Sequence, residues 1–337
     1  MKWHVISFVA IGLFASAVPS RTPAASDSMR SASADIAFAS RGDGNWEVYV
    51  TDEAGRNQRR LTRRDVEDRF PLWAPDRRQI AWGSLVNGTW ELWVMDSDGT
   101  RQRRLASHIL AKSTRGWSPD GKLIAFTAVA DDDLDIHTVD VASGRVTRLT
   151  STQGEDRDPD WSPDGSHLAF SSSRDGIAQI YVMSGAARDV RRLTNGTSPA
   201  GTPRWSPDGK TIVFVSDRDL YVVDADGQRP RRLTVGAHVT RDPPLWSPDG
   251  SRIVFQIADG DNYDIGLLRR SDGVRSLLAS SSAYDGSYTW SVDGKRVAFI
   301  SGRDGFDGIY IVDADAEHSP VRLTGTASLT PAWGSQR

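Results

Sequence analysis

The chain has 337 residues, 38% of them hydrophobic, with twelve Trp and a formal net charge of −3. It has no Cys, which excludes disulfides, thiol nucleophiles, Cys-ligated zinc and a lipidated N-terminal Cys. The mildly acidic balance gives no electrostatic ground to expect nucleic acid or an anionic membrane as partner.

Residues 1–17 read as a secretory signal. Lys2 supplies a positive start, Val5 to Val18 is mostly apolar and uncharged, and Ala15-Ser16-Ala17 fits small-x-small cleavage. The run is too short for a stable span. A periplasmic or secreted protein with no membrane span after cleavage is therefore expected. Residues 18–34, rich in Ser, Ala, Pro and Thr, read as a disordered lead-in. Residues 35–337 read as one domain.

That domain is built on a repeat. Trp73, Trp117, Trp161, Trp205, Trp246, Trp290 and Trp333 are spaced by 44, 44, 44, 41, 44 and 43 residues. Four of them are followed by Ser-Pro-Asp-Gly. Each repeat carries four short apolar runs. The first ends at the Trp, the second resembles Leu168-Ala169-Phe170, the third Ile180-Tyr181-Val182 and the fourth Arg192-Leu193-Thr194. The runs are β-branched or aromatic and are bounded by Gly, Asp and Pro, which predicts strands. Pro in Ser-Pro-Asp-Gly presets a type I turn, and Gly takes the left-handed residue that closes the hairpin. Each repeat is thus a four-stranded antiparallel meander.

One such sheet cannot bury both its faces, but a ring of them can. The second to fourth runs occur seven times, starting at Ile36-Ala37-Phe38, whereas the missing first run returns at Pro331-Ala332-Trp333. This predicts an all-β, seven-bladed β-propeller of four-stranded antiparallel blades, closed by pairing of the N- and C-terminal strands.

The order Trp-Ser-Pro-Asp-Gly, Ile-Ala-Phe-x-Ser, Arg-Asp-Gly, Ile-Tyr-Val-x-Asp, Arg-Leu-Thr resembles the Pro-Asp, WD-like repeat of TolB-like β-propellers, from residue 35 to the end. The resemblance implies that the Trp strand is innermost. It differs from TolB itself, which resembles a six-bladed propeller behind an α/β domain. The repeat is also similar to the propeller of prolyl oligopeptidase-type enzymes, but the α/β-hydrolase domain of those enzymes has no counterpart here.

The Ser-Pro-Asp-Gly and Asp-x-Asp-Gly turns fall on one face, and the longer hairpins and blade crossovers on the other. The latter face is the expected binding surface. With the Trp strand innermost, Arg69, Arg115, Arg157, Asp158, Arg241 and Asp242 would ring the channel mouth there. The outer acids Asp43, Asp132, Asp133, Asp175, Asp219, Asp261 and Asp304 read as hairpin chemistry. The Arg-Arg pairs at 59–60, 103–104, 191–192 and 231–232 read as edge-strand protection against aggregation. His108 and His238 sit in crossovers at similar offsets before their Trp, nine and eight residues. They are weak metal candidates, suggested by the channel histidines of seven-bladed pectin-fragment lyases of similar repeat.

No nucleophile elbow, zinc-protease motif or phosphate loop is present. The sequence therefore favours a non-catalytic protein- or peptide-binding or scaffolding module with a partner in the cell envelope, glycan being the other ligand class. No cofactor is required, and a divalent cation is the one the pattern would admit. The alternative is a propeller-type polysaccharide lyase or hydrolase, oligogalacturonate-like, with a metal in the central channel.

Overall fold

The computed structural model describes residues 36–111, 116–315 and 319–334. The signal and lead-in expected in residues 1–34 lie outside the described residues. Within them are seven sheets of four antiparallel strands, and no helix long and apolar enough to cross a membrane.

Blade 1 joins Ser328–Trp333 to Ile36–Ser40, Glu47–Thr51 and Arg59–Arg60. Blade 2 runs Glu67–Trp73, Gln79–Val86, Thr89–Asp96 and Arg103–Ser107. Blade 3 runs Gly116–Trp117, Leu123–Ala130, Asp133–Asp140 and Val146–Arg148. Blade 4 runs Asp156–Trp161, His167–Ser172, Gln179–Ser184 and Arg191–Arg192. Blade 5 runs Ala200–Trp205, Thr211–Ser216, Asp219–Asp224 and Arg231–Arg232. Blade 6 runs Leu245–Trp246, Arg252–Asp259, Asn262–Arg269 and Arg275–Ala279. Blade 7 runs Asp285–Trp290, Arg296–Ser301, Gly308–Asp313 and Val321–Arg322. Closure is as expected: Trp333 pairs Ile36 and Ser328 pairs Ser40.

The core lies between blades. The second-strand aromatics Phe38, Trp82, Phe126, Phe170, Phe255 and Phe299 are fully buried and alternate with buried aliphatics from the third strands. The repeat Trp residues also stitch the ring. The indole N–H of Trp117 donates to the Leu72 carbonyl, Trp161 to Gly116, Trp246 to Arg204 and Trp290 to Leu245, at 3.0–3.3 Å. In each pair the acceptor immediately precedes the Trp of the blade before. The indole nitrogens of Trp73, Trp205 and Trp333 are buried without such an acceptor.

Ser-Pro-Asp-Gly is a closed unit. In blade 4 the Ser162 hydroxyl donates to Asp164 at 2.6 Å and accepts the His167 amide at 2.9 Å. Asp164 also takes the Ser166 amide, and the Ser162 hydroxyl leads the contacts that hold its carboxyl at about 2.

The paired arginines do more than guard an edge. In three of the four pairs the second arginine folds inward onto a buried acid near the start of the third strand: Arg60 on Glu47 at 2.6 Å, Arg104 on Glu91 at 2.9 Å, and Arg232 on Asp219, whereas Arg192 meets Asp175 at 3.7 Å. The repeat Thr caps the same acid, as Thr150 does on Asp135 at 3.0 Å. Asp219 is therefore an internal anchor, only 1% exposed, rather than a rim residue. Asp43 and Asp175 accept the Tyr49 and Tyr181 hydroxyls at 2.5 Å, and Asp304 accepts Tyr310. Burial, and then these carboxylates, push the three phenols up to about 12.

Candidate functional site: the central channel

Seven inner strands surround a cavity of about 480 Å³ with walls from every blade. Trp161, Trp205, Trp246, Trp290 and Trp333 form most of its side. Pro119, Pro163, Pro207 and Pro248 bring in the Ser-Pro-Asp-Gly turns at one end, and Phe70, Ser287 and Thr330 mark the other. The apolar wall follows from the repeat: the Trp of five blades and the turn Pro of four face the cavity.

The residue before each Trp is where the blades differ. Leu72, Gly116, Leu245, Thr289 and Ala332 are uncharged, but blades 4 and 5 place Asp160 and Arg204 there. These two lie 3.7 Å apart, both nearly buried. Asp160 also accepts the Trp205 amide at 2.8 Å, and Arg204 donates to the Pro203 carbonyl at 2.9 Å. Burial of an ion pair in so apolar a wall is costly unless the remaining polar atoms are bonded. The pair is thus the one charged feature of the cavity lining.

Five inner strands carry a bulge at the far end of the cavity. Phe70, Asp158, Thr202, Ser287 and Thr330 sit there with φ between +45° and +57°, a left-handed conformation that costs energy for non-glycine residues. The bulge shifts the pairing register at this level, as between Arg157 and Asp160. No sequence signal identified it beyond the proline that follows four of the five.

The expected mouth residues lie at or just past this level. Arg69 pairs with Glu67 at 2.8 Å and stacks over Trp46 at 4.7 Å; burial lowers its pKa. Arg157 pairs with Glu155 at 2.8 Å. Asp158 is itself the bulge residue of blade 4. Arg241 is exposed, and Asp242 is half-buried with its amide on the Thr240 hydroxyl at 3.1 Å. Arg115 lies outside the described residues. Arg69 and Arg157 are each answered by a glutamate two residues upstream in their own blade.

His108 and His238 occupy similar places before their Trp for a structural reason. Both are exposed, with φ of +60° and +53°. Each opens a segment laid beside the second strand of the next blade, through the bridges Ile109↔Ala128 and Val239↔Ile257. These segments accompany the two-residue inner strands of blades 3 and 6. Among the described residues no three His, Asp or Glu side chains group to hold a metal ion.

The comparisons agree with the architecture. Residues 85–243 match the family model of the TolB beta propeller domain. TolB from Acinetobacter baumannii superimposes with a TM-score of 0.60 at 21% identity, over 90% of this chain and 67% of that one. An oligogalacturonate lyase in complex with manganese gives 0.69 at 16% identity, over 85% and 88% of the two chains. The oligogalacturonate lyase of Vibrio parahaemolyticus gives 0.67 at 16%, over 82% and 85%. At such identities these likenesses speak for the fold alone. No curated protein matches the sequence. Its repeat and its closed ring of seven four-stranded blades make this chain a seven-bladed β-propeller, whose residues 85–243 are similar to the TolB beta propeller domain.

Proposed function

We propose that this propeller is an exported, non-catalytic binding module that receives an apolar segment of an envelope protein or peptide in its central channel. The observation that carries this reading is the Trp- and Pro-walled cavity of about 480 Å³, to which all seven blades contribute. Aromatic walls bury large apolar area on contact, and a few polar groups then orient the guest. Asp160, Arg204, Thr289 and Thr330 would do so here. Arg157, Asp158, Arg241 and Asp242, with Arg69 and Arg115, would form the polar mouth through which the partner approaches. Localisation in the periplasm or outside the cell rests on the signal-like residues 1–17.

The polysaccharide-lyase alternative lacks a donor set in this wall. The lining offers one carboxylate, Asp160, already bonded, and no imidazole. A manganese-induced rise in melting temperature would favour that alternative instead.

The test is to fill the channel. Thr289→Trp places an indole in the cavity, whereas Val321→Trp adds the same bulk on an exposed outer strand. Partners captured from envelope extract by the wild type and by Val321→Trp should be lost with Thr289→Trp, its melting curve remaining cooperative. Undiminished capture by Thr289→Trp would remove the channel from the function.

A further inference from the structure

We propose that the turn face of blade 6 binds a multivalent oxyanion, in chemical class a phosphate ester. The site lies apart from the channel and does not depend on the function proposed for it.

The inference begins with a break in the repeat. The last residue of each third strand stands opposite the first residue of the second. In blades 2, 3, 5 and 7 that residue is Asp96, Asp140, Asp224 and Asp313, facing Gln79, Leu123, Thr211 and Arg296. In blade 6 Arg269 faces Arg252. Like charges directly opposite destabilise an antiparallel pair. Arg270 follows, where blades 5 and 7 have Ala225 and Ala314. The turn's backbone is held by other groups. Asp272 organises it by accepting the Val274 amide at 3.0 Å, and the Gly273 amide reaches the Arg269 carbonyl at 3.0 Å. A like-charge pair set where the repeat elsewhere places an acid points to a ligand.

A second cavity of about 610 Å³ opens at this place. Arg231 of blade 5 and Arg252, Arg269 and Arg270 of blade 6 wall it, with two serines and a single carboxylate, Asp315. Asp315 takes Arg252 at 3.1 Å and Asp272 takes Arg269 at 2.9 Å. Arg231 and Arg270 make no ion pair among the described residues. The Arg270 guanidinium lies 5.2 Å over the Trp246 ring, a stack that fixes its plane. The nearby turn acids Asp208 and Asp249 are bonded by their own Ser206 and Ser247 hydroxyls at 2.5 Å, and feel the Arg270 and Arg252 charges without an ion-pair contact. Guanidinium forks match the spacing of phosphate oxygens, and four around one groove suit more than one negative charge.

Calorimetric titration of the full chain with inorganic pyrophosphate at low salt, and flotation with phosphatidylglycerol/phosphatidylcholine vesicles, form the two arms of the test. Pyrophosphate binding assigns the phosphate to a soluble ester, and vesicle binding without it assigns the phosphate to a lipid headgroup. Arg269→Asp/Arg270→Ala restores the residues of the repeat and should weaken binding at least about tenfold, with melting unchanged or raised. Arg231→Ala, on an exposed outer strand, should weaken it independently. Arg59→Asp/Arg191→Ala makes the same charge change elsewhere and should leave it intact. Absence of binding in both arms, or equal weakening by the control variant, overturns the proposal.

Discussion

Replacing each repeat Trp by Phe separates the blade-to-blade hydrogen bonds from aromatic packing. All seven Trp residues are at most 9% exposed, so each substitution removes a comparable part of a buried indole. Trp117, Trp161, Trp246 and Trp290 also lose a donor to the preceding blade. Trp73, Trp205 and Trp333 lose only a buried N–H that had no acceptor. A net intramolecular hydrogen bond is worth about 0.5–1.5 kcal/mol, and removing an unsatisfied donor relieves a desolvation cost. The four bonded variants should therefore unfold with ΔG about 1 kcal/mol lower, on average, than the three unbonded ones. Urea unfolding followed by far-ultraviolet circular dichroism measures this without relying on Trp fluorescence. Overlapping distributions for the two sets, or a larger loss at Trp205 than at Trp161, would show that the indole bonds do not hold the ring and that packing alone does.

Arg174→Ala should cost about 3–5 kcal/mol, because it strands a fully buried Asp156, held by Arg174 at 3.0 Å, without its cation. Adding Asp156→Asn should recover part of that loss in the same unfolding assay. Asp68 occupies the matching place in blade 2 with no arginine within ion-pair distance; burial raises its pKa against the Ser84 hydroxyl, the Trp82 indole and the more distant Arg64 charge. Its raised folded pKa gives stability that is complete below the ordinary carboxylate value of 3.8 and is lost as pH climbs through the folded value. Asp68→Asn should accordingly melt higher than wild type at pH 7, with the gap closing toward pH 3.8; a constant gap would refute the argument. Asp164, held at about 2, has the opposite sign. Its contribution is present above pH 3.8 and is lost as pH falls through about 2, so Asp164→Asn should cost more at neutral pH than in acid.

The blade count, the strand order within each blade and the closure through Trp333 and Ile36 were legible because they are periodic. Spacing, alternation and turn residues are local properties, and seven copies make each of them redundant. The channel charges were not legible. Asp160 and Arg204 are 44 residues apart in sequence, and only the ring sets them 3.7 Å apart. The paired arginines were read as edge residues because a strand pattern shows which face a side chain leaves from, not how far it folds back. Arg60 and Arg232 return to acids 13 positions earlier.

The sequence by itself determined the repeating unit, and with it the sheet, the turns and the number of blades, since these depend on interactions within about forty residues. Tertiary structure decided which copies of that unit differ in consequence. It gathered one residue per blade around the axis and set Arg252 against Arg269 beside the outer strand of a neighbouring blade. A site made of single residues from separate copies has no sequence spacing of its own; it exists once the copies are packed around the axis.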